Sequence, residues 1–126
     1  MKTTNLHQDT IIDEYKDIIT LANELFGYRC CDTVMRGDDR NDLSTKYQIT
    51  IDPYAAPSIE ERINLAAFES YFYENYGNKK DRCYFDTPYI AFFVLTKAWN
   101  IWNRHLDKEI KENYIKPKSK LFSENN

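Results

Sequence analysis

Asp38, Arg40 and Asp42 alternate along the charged run Arg36-Gly37-Asp38-Asp39-Arg40-Asn41-Asp42, as the first ligands of a calcium loop do. An EF-hand loop also needs glycine at its sixth position and glutamate at its twelfth. Counted from Asp38, those places hold Leu43 and Ile49, and Arg40 would repel the ion. Calcium is excluded. Glu60, Glu61, Glu69 and Glu74 share one helical segment and suggest an acid/base pair. Their spacing forces none of them into an apolar pocket, so a solvated role is expected. No G-x-S-x-G elbow is present, and three glycines form no phosphate-cradling loop.

Cys30, Cys31 and Cys83, with His7 and His105, fit no four-ligand zinc spacing and contain no C-x-x-C pair. Three reduced, mostly buried thiols are expected. His105 falls where a helix C-terminus favours the imidazolium, a helix-end role rather than a base. The residues therefore imply no catalytic set, no metal and no cofactor, and the chain reads as non-enzymatic.

Size and charge narrow the class further. A chain of 126 residues, 42% apolar and 29% charged, suits one ordinary domain that folds without metal or disulfide. Residues 1–113 are expected as a single globular domain and 114–126 as a loosely ordered tail with Lys116, Lys118 and Lys120. The net charge of −3 is concentrated in the first 58 residues, which disfavours direct nucleic-acid binding. The longest uncharged run, Thr87 to Thr96, is too short to span a bilayer. With no secretory signal at Met1–His7, the cytoplasm is the expected compartment.

Helical spacing of Ile11, Ile12, Tyr15, Ile18, Ile19, Ala22, Leu25 and Phe26 predicts a first helix over Asp9–Phe26, stopped by Gly27. Tyr28–Val34 and Lys46–Asp52 read as strands flanking the charged loop. Ser58-Ile59-Glu60-Glu61 is a capping box opening a second helix to about Tyr76. Thr87-Pro88 starts a third, apolar nearly all round from Tyr89 to Trp102 and charged at its end. The expected fold is α+β, mainly helical: three principal helices with a small two-stranded β-hairpin between helices 1 and 2.

Nineteen residues are aromatic, and twelve of them lie between Phe68 and Trp102. Most are expected in the core, leaving Tyr73, Tyr84 and one tryptophan for a partner. A stacking platform for single strands would need interleaved cations. Lys79, Lys80, Arg82, Lys97 and Arg104 are nearly cancelled by Glu69, Glu74, Asp81 and Asp86.

The pattern Phe68-Glu69-x-Tyr71-Phe72, then Tyr84 or Tyr89, then Ala98-Trp99-x-x-Trp102-x-Arg104 resembles a helical module of small phage-encoded accessory proteins. The resemblance covers about Ala67 to His105. It implies a phage or prophage origin and action by binding and disabling a host protein. Restriction systems, CRISPR effectors, polymerase and proteases are targets of that kind.

The resulting expectation is a non-enzymatic inhibitor of a host protein, anti-defence and anti-CRISPR-like. Asp38, Asp39 and Asp42, with Asp13, Asp17 and Glu24 on the polar face of the first helix, form the expected partner-binding surface. They would meet a protein or complex with a basic nucleic-acid channel. The alternatives are a nucleic-acid-binding accessory protein and a structural homo-oligomer such as a homodimer.

Overall fold

The computed structural model describes residues 16–31, 34–38, 45–77 and 85–122. These residues are mainly helical, and the expected third helix is two helices rather than one. Helix α1 covers 16–26; Ile18, Ala22 and Phe26, each four residues apart, point into the core. Gly27, at φ 89°, donates its N–H to Asn23 O at 2.9 Å and ends the helix in the left-handed region glycine tolerates. The expected start of this helix, Asp9 to Tyr15, lies outside the described residues.

Tyr28 to Cys31 were expected to begin a strand, and they do not. Asn23 takes both backbone groups of Cys31, accepting its N–H at 2.8 Å and donating Nδ2–H to its carbonyl at 2.9 Å. Asp52 N–H occupies the carbonyl of Cys30 at 2.8 Å. The backbone groups of Cys31 and the carbonyl of Cys30 are thus satisfied without a β-ladder. Strand β1 instead spans Val34–Asp38, from the last residue of the expected strand into the run expected as a loop, and pairs antiparallel with β2, Thr45–Ile49, in the register Val34↔Ile49 to Asp38↔Thr45. On the other edge of β2, Tyr47 and Phe85 exchange two backbone hydrogen bonds of 2.8 Å.

Asp52 caps a 3₁₀ turn, Pro53–Ala55, by accepting Tyr54 N–H at 3.0 Å. Helix α2, Ile59–Tyr76, opens at Ser58, whose hydroxyl accepts Glu61 N–H at 3.1 Å and donates to Glu61 Oε1 at 2.9 Å. Helix α3, Pro88–Asn100, opens at Thr87, which accepts Ile90 N–H at 3.1 Å, with Pro88 supplying the first helical residue. Only one side of α3 is buried, through Pro88, Ala91, Leu95 and Ala98. Its apolar residues therefore do not make it a helix enclosed on every side.

After Asn100 the helix widens into a π turn, Ile101–His105, closed by Leu106 N–H to Ile101 O at 2.8 Å. Leu106 is extended, and α4 then runs from Lys108 to Leu121. Residues 114–121, expected as the start of a loose tail, belong to this helix. Pro117 sits inside it, removing one backbone donor at a typical cost of about 3 kcal/mol. Packing opposes that cost: Tyr114 and Ile115 join the core, and Phe122 rests on Tyr54 with ring centroids 4.9 Å apart. Among the described residues, no helix is long and apolar enough to cross a membrane.

Phe68 is the hub of the core. Its ring meets Trp99 edge-on at 4.9 Å, Trp102 at 6.1 Å, Phe72 at 5.8 Å and Phe26 at 6.0 Å. Trp102, fully buried, reaches Tyr71 at 5.4 Å and Tyr114 at 6.1 Å. Its indole N–H donates to Asn64 Oδ1 at 3.1 Å. Trp102 is thus wholly a core residue, while Trp99 is partly buried and packs against the core.

Candidate interaction surfaces

Helix α1 turns Asp17, Thr20, Leu21 and Glu24 outward, the i, i+3, i+4, i+7 set of one helical face. Leu21 is 43% exposed between two carboxylates. Beside this ridge a groove of about 450 Å³ runs along the C-terminal turns of α1, walled by Thr20, Asn23, Glu24, Tyr28 and Arg29. The double hydrogen bond from Asn23 to Cys31 holds the far wall in place. Burial pushes the Tyr28 phenol up to about 12, with Cys30 adding to the shift. It therefore remains an uncharged donor in the groove at neutral pH.

Of the six acidic residues expected at the interface, the structure joins Asp17 and Glu24 on this ridge. Asp38 lies in β1 opposite Thr45. Asp13, Asp39 and Asp42 lie outside the described residues, as do Lys79, Lys80, Arg82, Cys83 and Tyr84.

A second surface lies on α3. Phe93 is 72% exposed, Tyr89 52% and Ile90 44%, and Lys97 and Asn100 continue the same outward side. Tyr73, expected to be available to a partner, is half-buried and shares its hydroxyl with Glu69 Oε2 at 3.4 Å. Sequence reasoning missed this face because Tyr89, Ile90 and Phe93 looked like more of the same apolar helix. The available signal was that the core on that helix is carried by small residues, Ala91 and Ala98, with Leu95.

Other chemistry-bearing groups have structural partners. Cys30 and Cys31 are buried with their sulfurs 3.9 Å apart, as thiols. Glu69, expected to be solvated, is partly buried. Burial holds its carboxyl above the usual carboxylate range, although Tyr73 and Lys118 pull the other way. Glu74 accepts the Tyr114 hydroxyl, which together with burial raises that phenol's pKa. Lys111 lies 5.1 Å from the centroid of the Trp102 ring, and burial lowers its pKa. Among the described residues, no three His, Cys, Asp or Glu side chains converge as metal ligands. No buried side-chain nitrogen or oxygen among them lacks a hydrogen-bond partner.

The chain matches no protein-family model, and the searches for a curated relative and for a similar solved structure found none.

Proposed function

We propose that this protein acts by binding rather than by catalysis, occupying the surface of a host protein in the host-cell cytoplasm. In this reading it is a phage or prophage accessory protein with an anti-defence, anti-CRISPR-like role. The observation that supports it is the α1 ridge: an exposed leucine between two carboxylates, bordered by a groove of about 450 Å³. Such a surface suits a partner that presents a lysine or arginine to the carboxylates and an apolar side chain to Leu21. A basic nucleic-acid channel supplies both the cations and the incentive to block it. Asp13, Asp38, Asp39 and Asp42 are the further acidic residues that the sequence assigns to the interface, and complementary charge would speed encounter.

The test is affinity capture from host lysate with wild-type protein and with the double variant Asp17→Lys, Glu24→Lys. The expected result is a host protein retained by the wild type and reduced at least tenfold in the variant, with unchanged far-UV circular dichroism. Capture should also weaken as salt is raised. Equal recovery by both proteins would remove the acidic ridge from the account.

A further inference from the structure

The outward side of α3 has a pattern that the acidic ridge lacks. Phe93, its most exposed large side chain, sits midway between Tyr89 and Lys97, four residues to either side. A helix rises 1.5 Å per residue, so a two-fold axis through Phe93 lays Tyr89 of one antiparallel helix on Lys97 of the other. An ammonium over a tyrosine face is a favourable contact, and the two-fold makes it twice. Asp86 precedes the helix cap and Asn100 is the last helical residue. Both are exposed. Antiparallel helix dipoles are favourable as well.

We infer that α3 pairs with α3 of a second copy of this chain, antiparallel about Phe93, with Tyr89 and Lys97 exchanging cation–π contacts across the axis. A face whose own two ends complement each other is what an isologous interface requires. The three apolar side chains together expose on the order of 300 Å², the size of the largest apolar patch on a typical monomer, which is often functional. Two such patches and their flanks fall at the small end of specific interfaces. The expected dimer is weak, with a dissociation constant on the order of micromolar. The acidic ridges lie on a different helix, so pairing through α3 presents two of them to a target.

Sedimentation equilibrium of the full chain from about 1 µM to several hundred micromolar tests the proposal. The wild type should rise from the monomer mass of 15.0 kDa to twice that value. Phe93→Glu should remain monomeric throughout. Lys97→Glu should weaken pairing at least fivefold by removing the cation from the tyrosine face. Tyr89→Ser should weaken it comparably, which guards against an unforeseen folding defect in any one variant. A wild type that stays at 15.0 kDa to the highest concentration overturns the inference and leaves the face to a different protein. Dimerisation undiminished by Phe93→Glu overturns it too. Neither result bears on the acidic ridge, whose capture assay is read separately.

Discussion

Trp102 and Phe93 come from one continuous aromatic stretch, nine positions apart, and have opposite surroundings. Trp102 is completely buried, ringed by Phe68, Tyr71 and Tyr114, with its N–H satisfied by Asn64. Phe93 is 72% exposed on a helix whose other side is fixed in the core. The inner rings meet edge-to-face or tilted, arrangements worth about 0.5–1.5 kcal/mol per pair beyond area burial. Among the described residues, the outer rings Tyr89 and Phe93 find no such lattice. The difference teaches that aromatic density in a sequence does not distinguish a core from a contact face. What distinguishes them is which side of α3 the small residues Ala91 and Ala98 occupy, because the close approach of α3 to its neighbours happens there.

The contrast can be broken most severely from the inside. Trp102→Ala should destabilise the fold by about 3–5 kcal/mol, since the cavity forms at the crossing of three ring contacts. Equilibrium urea unfolding measures it, and a loss below 1 kcal/mol would contradict a structural role. Asn64→Ala comes next, at about 1–3 kcal/mol, because the indole N–H loses its acceptor in a mostly buried place. Indole fluorescence in the same titration should shift with it.

Glu69 sits at the margin between the packed and open sides of α2, and its effect is smaller and depends on pH. Burial raises its folded-state pKa, so the folded protein keeps this proton to higher pH than the unfolded chain does. Stability therefore falls as pH rises from the unfolded value through the folded one, and the penalty is complete above it. Glu69→Gln should be more stable than the wild type at neutral pH, with the gain fading on acidification. Thermal unfolding at a series of pH values would show it, and a gain that grew at low pH would contradict it.

Much of the helical organisation was legible because it rests on local hydrogen-bond chemistry. Ser58 with Glu61, Thr87 with Pro88, and Gly27 after Phe26 each bound a helix by satisfying or releasing nearby backbone groups. What the sequence hid depends on distant contacts. Tyr28–Cys31 reads as the start of a strand, yet Asn23 and Asp52, from different parts of the chain, take backbone groups of Cys30 and Cys31. Residues 101–121 read as one helix running out into a tail. Seating Trp102 against Phe68 and Tyr114 against Tyr71 goes with a π turn, an extended Leu106 and a helix that carries Pro117. For the candidate surface, Asp17 and Glu24 were legible from their seven-residue spacing. The groove beside them was not, since Tyr28 and Arg29, expected in a strand, wall it instead. The exposed face of α3 was hidden by composition, because exposed and buried aromatics are the same letters.

The most direct test of this division is urea unfolding of Phe93→Ser beside the wild type, at a concentration low enough to keep both monomeric. The account predicts equal stability within about 0.5 kcal/mol, as for a surface substitution away from packing. A loss of about 2 kcal/mol or more, the size expected when a packed ring is removed, would put Phe93 in the core and contradict it.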